Sequence, residues 1–425
     1  MGVLTPRPRT RTSGTRVLQR AFGVLAVTGV CLTLTAPAAT AAPTRLTSAS
    51  AENPTFGLSS SSECDFGGEI IKSTPWSLQR VLLDQLREQA TGEGVTVAVI
   101  DTGVDDSNPQ LRGAMAAGGD DYVGNTDGST DIEGHGTRVA GIIAARELEG
   151  TGFAGIAPEA KILPLRYTGA EEKQGNSATM SAAIKDAVAK GAKIINISSD
   201  TANKKDNAQL RNTVAAAVDA GALIIAASGN DGADGKSANT YPASYPGVLA
   251  VAASDRNDER AFFSQAGEFV DIAAPGVGMV STVPKGGQCT ADGTSFAAPY
   301  VAGVAALLKQ KHPDWSAAQI TTRIQESANR PGRGPNRYLG WGVVDPVAAL
   351  SDDSTPGTRP QEDPPPAPGS TEVIPMAVTM GETEAEQESR VAMYVVGSGL
   401  LLVLLASGSG IAVRDWRKKH ARQSG

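Results

Sequence analysis

The sequence predicts an α/β protein with a mainly parallel central sheet flanked by helices. Two observations carry this. Short apolar runs recur through the middle of the chain, and helical segments lie between most of them. Strand, helix, strand at that spacing gives βαβ units, which bury both faces of a parallel sheet. Composition agrees: 40% hydrophobic and 20% charged over 425 residues is ordinary for a soluble globular chain. The 48 glycines add many tight turns and close backbone approaches.

The elements follow in order. Leu78 to Gln89 has a helical pattern. Val95 to Asp101 (VTVAVID) is an apolar run that fits a buried parallel strand. Lys161 to Tyr167, Lys193 to Ser199, Leu223 to Ser228 and Val248 to Ala253 are similar runs. Thr137 to Glu147, Ser177 to Lys190 and Ala208 to Ala220 are the helical segments between them. Two more helices are expected near Thr294 to Lys311 and Ser316 to Ala328. No internal repeat is present.

The ends predict a topology. Five arginines between Arg7 and Arg20, an apolar run from Ala21 to Leu34 and small residues at Ala39-Thr40-Ala41 read as a signal peptide over residues 1–41. An uncleaved N-terminal anchor is the alternative. Cys31 follows Val30, which argues against lipidation. Residues 391–413 are uncharged and apolar, with a reach of about 34 Å at about 1.5 Å per residue, enough for a hydrocarbon core of roughly 30 Å. Arg414, Arg417, Lys418, Lys419 and Arg422 follow and place residues 414–425 in the cytoplasm. The expectation is a single-pass protein of the cell membrane with its main domain outside. Residues 42–74 read as a Ser/Thr-rich extension, 75–350 as the globular domain, and 351–390 as a Pro-rich acidic linker with little to bury.

Charge and cysteines narrow the class. A net charge of −7 with no basic patch in the middle of the chain argues against a nucleic-acid partner. Cys64 and Cys289 would remain after signal cleavage, either as one disulfide or as two free thiols. The three histidines are scattered, with no metal-type Cys/His cluster and no cofactor motif.

Four segments carry nucleophilic chemistry. In VAVIDTGVD a buried strand ends in Asp101, where α/β sheets gather functional groups; alone, a turn-capping Asp is the plainer reading. In EGHGTRVAG, His135 lies between two glycines at the start of a helix and is the candidate general base near neutral pH. In DGTSFAAPYVAG, Ser295 opens a helix whose free N–H groups and dipole favour negative charge; a Ser cap is the alternative. In AASGND, Asn230 follows a strand and can donate to an oxyanion, or simply form a Gly-Asn turn.

The order Asp101, His135, Asn230, Ser295, with separations of 34, 95 and 65 residues, resembles the subtilase superfamily from about Pro75 to Leu350. The resemblance implies a three-layer subtilisin-like fold and a serine endopeptidase acting on polypeptides. Ser295 would attack, His135 would carry the proton, Asp101 would hold the imidazole, and Asn230 would hold the oxyanion. Ser198, Ser199, Asp200 and Tyr241 match the family's substrate groove. HGTRVAGIIAAR, GTSFAAPYVAGVAALL, the short extension, the Pro-rich linker and the C-terminal apolar segment are similar to the mycosins, the membrane-anchored subtilases of type VII secretion. That implies secretion components as partners. A mainly structural subtilase domain that stabilises a membrane complex is the alternative role. Arg138 departs from the family, which often has His there. Asp200 stands where a glycine is common, and predicts preference for a basic substrate residue or a narrower groove. Residues 42–75 are too few for a folded pro-domain. Residues 147–153 lack an Asn-rich calcium loop, so no metal site is expected.

Overall fold

The structure is a computed structural model and describes residues 64–169, 174–200, 205–365 and 391–399. Its centre is a seven-stranded sheet in the order β2-β3-β1-β4-β5-β6-β7, parallel throughout. The strands are β1 (Thr96–Asp101), β2 (Asp120–Asp121), β3 (Lys161–Arg166), β4 (Ile194–Ile197), β5 (Leu223–Ala227), β6 (Val248–Ser254) and β7 (Ile272–Pro275). Two further strands, β8 (Met279–Thr282) and β9 (Gln288–Ala291), pair antiparallel beside it.

Alternation along each strand sorts its side chains into two layers. Val97 and Val99 of β1 join Ile194, Ile225 and Leu249 in one core. Ala98 and Ile100 join Ile195, Ile197 and Ile224 in the other. Helices α3 (His135–Ala144) and α6 (Thr294–Lys311) fill the first layer; α4 (Ser177–Ala189) and α5 (Ala208–Asp219) fill the second. This is the three-layer arrangement the sequence predicts. Helix α6 is buried along almost its whole length, from Thr294 to Leu308 with Ser295 half-buried. It therefore has no polar face, unlike a surface helix.

Local chemistry sets several ends. Asn176 caps α4 in a reciprocal box with Thr179. Helix α7 (Ala317–Glu326) opens on Ser316 and Gln319 in the same way. Asp345 caps α8 (Pro346–Ser351), whose first residue is proline.

Two expectations need amendment. The single helix over Leu78 to Gln89 is two, α1 (Trp76–Gln79) and α2 (Leu83–Gln89), broken where Leu82 takes φ 44°. A β-carbon makes that region unfavourable inside a helix. From residue 64 onward the end of the extension is tied to the domain. Cys64 and Cys289 form a disulfide with Cα atoms 5.9 Å apart. Gly67 N–H donates to Pro284 O at 2.9 Å, and Ile71 N–H to Gln288 Oε1 at 2.7 Å. The start of the linker is also docked. Arg323 pairs with Asp352, Arg330 with Asp363, and Gln361 N–H donates to Glu326 Oε1.

Residues 391–399 are helical and exposed. The remainder of the apolar segment and residues 1–41 lie outside the described residues. Among the described residues, no helix is long and apolar enough to cross a membrane.

Candidate active site

Strand β1 ends on Asp101, which is 1% exposed. Its Oδ1 accepts from His135 Nδ1 at 2.7 Å and from the Thr102 N–H at 2.8 Å. A carboxylate only accepts, so Nδ1 carries the hydrogen. In the neutral ring, Nε2 is then left with a lone pair. Close approach of α3 to β1 makes this contact, and Gly136 permits it. A β-carbon there would lie 2.0 Å from Gly103 O and 3.1 Å from Asp101 Cβ.

Asp131, unnoticed in the sequence, organises this corner. It is 6% exposed and sits just before α3. Its Oδ1 accepts from Thr102 Oγ1, Glu133 N–H and Gly134 N–H. Its Oδ2 accepts from the N–H and hydroxyl of Thr137. Thr102 Oγ1 in turn accepts from the Gly136 N–H at 2.9 Å. Asp131 thus takes the Gly134 and Thr137 N–H groups at the opening of α3, and through Thr102 holds Gly136, which fixes the backbone on both sides of His135. Burial pushes its carboxyl above the ordinary range, opposed by the hydrogen bonds from Thr137, Thr102 and Gly134. The available signal was an acidic residue four positions before His135, at a helix start. Burial, helped by the charges of Asp131 and Asp101, also raises Glu133.

Ser295 is the second residue of α6. Pro299 has no N–H, so the Ser295 carbonyl lacks its usual helical donor. Asn230 lies beside this turn. Its Oδ1 accepts from the Thr294 N–H and from Thr294 Oγ1, both at 2.9 Å. A backbone N–H can donate only to the amide oxygen, so Nδ2 is left as the outward donor. Phe296 links the two helices: its ring centroid is 5.5 Å from that of His135, and the Arg138 guanidinium lies 5.4 Å from the Phe296 ring. Arg138 Nε donates to Gly134 O and its Nη1 to Cys64 Sγ, joining the extension to the histidine loop. Burial lowers the Arg138 pKa from its usual value. His135 Nε2 and Ser295 Oγ are not hydrogen-bonded to each other in this structure; such contacts commonly close only around substrate.

Of the residues expected to line a groove, Ser198, Ser199 and Asp200 follow β4, and Tyr241 lies in the segment before β6. Ser198 is buried and accepts from Asn196 Nδ2 at 2.8 Å. Ser199 Oγ and Tyr167 OH are 2.5 Å apart. Asp200 reaches the Gly229 backbone beside Asn230: a β-carbon on Gly229, where φ is 101°, would stand 3.3 Å from Asp200 Oδ2. Tyr241 is half-buried and packs on Tyr245 with centroids 4.8 Å apart. Among the described residues no group of three His, Cys, Asp or Glu side chains could hold a metal ion.

An acid–imidazole pair at the end of a parallel strand and a serine opening a buried helix are parts that a nucleophilic hydrolase uses. Residues 92–342 match the subtilase family. Subtilisin BL of Lederbergia lenta is 39% identical over 279 residues, covering 65% of this chain and 99% of that enzyme. The crystal structure of MycP1 with its N-terminal propeptide removed is 34% identical with a TM-score of 0.60, covering 67% of this chain and 99% of that one. MycP3, a protease from the type VII (ESX-3) secretion system, is 34% identical with a TM-score of 0.59, covering 66% and 90%. The chain belongs to the subtilase family and is a subtilisin-like serine endopeptidase. Within that family it is like the mycosins.

Proposed function

We propose that Ser295 is the nucleophile of this endopeptidase, with His135 as general base and then acid, and Asp101 as the group that holds the imidazole. Asn230 Nδ2 and the Ser295 N–H form the oxyanion site. The observation that carries the assignment is the paired orientation of two groups. Asp101 fixes Nδ1–H inward, and Thr294 fixes the Asn230 oxygen inward. Each leaves its reactive atom for substrate: a lone pair to take the Ser295 proton, and an N–H to meet the oxyanion. Asp101 lowers the energy of the imidazolium formed in the tetrahedral step.

The substrates are polypeptides handled by a type VII secretion system, and the enzyme works from the outer face of the cell membrane, anchored by residues 391–413. Likeness to MycP1 and MycP3 and the charge pattern of the C-terminal segment support this. The Asp200 carboxylate, next to Gly229 and Asn230, favours a basic residue before the cut. A panel of fluorogenic peptides differing only at that residue tests the reading on the full-length chain. Cleavage is expected to be fastest after Arg or Lys and abolished by Ser295→Ala, with the charge preference lost in Asp200→Asn. Cleavage indifferent to charge sinks the specificity. Activity that survives Ser295→Ala sinks the assignment, and a folded protein that cleaves nothing moves the structural role to the front.

A further inference from the structure

A second site lies at the opposite edge of the sheet. The catalytic candidates sit beyond the carboxyl ends of β1 and β5. Between the amino ends of β5 and β6 and helix α7 is a cavity of about 490 Å³, lined in part by Leu223, Val248, Ala317 and Thr322. That size is typical of small-ligand sites.

Its polar groups are few and specific. Asp271, just before β7, accepts from the Ala250 N–H at 2.9 Å through Oδ2. That single bond accounts for one oxygen, and an asparagine would make it equally well. No ion pair of a described residue engages the carboxylate. Burial raises the Asp271 pKa to about 6, with no cation pulling it back. Thr322, 1% exposed, lines the same cavity, and its Oγ1 is buried without a hydrogen-bond partner. Trp341 forms another wall, and its backbone N–H donates to the Asp271 backbone carbonyl at 2.8 Å, which sets the two residues side by side. Arg330 lies over Trp341 at 5.6 Å, but its donors go to Asp363 and to the carbonyls of Gln325, Glu326 and Ala328.

We infer that this cavity binds an organic cation, the guanidinium or ammonium end of a basic chain, through Asp271 with Thr322 and Trp341. An anion would meet an uncompensated carboxylate. A neutral apolar ligand would leave that carboxylate and the Thr322 hydroxyl unpaired. A hard metal ion demands several oxygen ligands, and no such cluster exists among the described residues. A cation on a hydrocarbon stem satisfies all three features: a charge-assisted bond to Asp271, an acceptor in Thr322 Oγ1, and an aromatic face in Trp341. The stem lies along Val218 and Val248. Thr358 and Pro360 of the docked linker complete the wall, so an occupant touches both the domain body and the segment that follows it.

The test uses full-length protein carrying Ser295→Ala, with ¹⁵N-labelled indoles. L-Arginine amide, citrulline amide and an end-blocked tripeptide with a central arginine are titrated while the Trp341 signal is followed. Arginine amide and the tripeptide are expected to move that signal with millimolar Kd, while Trp76 and Trp315 stay in place. Asp271→Asn should weaken binding at least about tenfold, as should replacing the guanidinium with the urea of citrulline. Thr322→Val should weaken it several-fold and serves if the Asp271 variant fails to fold. A tripeptide that binds more tightly than arginine amide assigns the site to a basic side chain of a polypeptide; the reverse assigns it to a free cation. No movement of the Trp341 signal, or equal movement with citrulline amide or in Asp271→Asn, overturns the inference.

Discussion

Replacing Asp131 with alanine should do more damage than its distance from the chemistry suggests. The carboxylate holds five N–H and O–H groups: those of Thr102, Glu133 and Gly134, and two of Thr137. The Thr102 and Thr137 hydroxyls can turn toward other acceptors, but the three backbone donors cannot. Each buried donor left unsatisfied costs about 1–3 kcal/mol, and partial relaxation brings the sum to about 3–5 kcal/mol. Asparagine is no rescue. Its amide brings one acceptor and one NH₂ group, and the NH₂ would face either the donors at Oδ1 or those at Oδ2. The assay is urea unfolding of the variant and the parent at pH 7, beside the rate of labelling by a fluorophosphonate under conditions where both are folded. The expected result is a loss of about 3–5 kcal/mol and labelling at least tenfold slower, because the backbone at Gly134 and Gly136 is freed on both sides of His135. A variant within about 1 kcal/mol of the parent that labels at the parental rate refutes this role for Asp131.

Other outcomes follow from the same geometry. Thr294→Val removes the hydroxyl that donates to Asn230 Oδ1 and accepts from the Gly229 N–H. It should lower kcat/KM about tenfold, Asn230→Ala about 100- to 1,000-fold, and the double variant no further than Asn230→Ala alone; full additivity in steady-state kinetics contradicts the orienting role. Asp271 has a folded pKa of about 6 against an ordinary 3.8, so its ionisation opposes folding. The penalty is absent below the ordinary value, grows as pH rises toward 6 and is complete above it, at about 3 kcal/mol. Asp271→Asn should therefore stabilise the protein at pH 8 and leave it unchanged at pH 3.5, measured by denaturant unfolding; equal effects at both pH values contradict this. The Cys64–Cys289 bridge closes a loop of 225 residues. Its loss in Cys64→Ser with Cys289→Ser should cost stability up to a chain-entropy ceiling of about 5 kcal/mol, and protease should then cut first in residues 64–75.

Much of the site was legible in the sequence because each candidate sits where a strand ends or a helix begins, inside its own short Gly-containing segment. The sequence places Asp101, His135, Asn230 and Ser295 at strand ends and helix starts, and the structure gathers those elements at one edge of the sheet. What the sequence hid depends on tertiary closure. Asp131 gains its meaning only when Thr102, just after β1, folds against the turn before α3. Strands β7, β8 and β9 have four residues each, too few to declare a period. The break at Leu82 has no Gly or Pro to mark it. The docking of residues 352–363 uses Arg323 and Arg330, about 30 residues back in the chain, so a Pro-rich acidic composition alone suggested free linker. The cavity at Asp271 combines residues from six separate segments and has no local signature at all.

The assignment of Ser295 as nucleophile is tested most directly by treating the purified full-length chain with a fluorophosphonate and locating the adduct by peptide mass spectrometry. The account predicts one adduct, on Ser295, whose formation is slowed strongly in His135→Ala and lost in Ser295→Ala. An adduct on another serine, or undiminished labelling in His135→Ala, would contradict it.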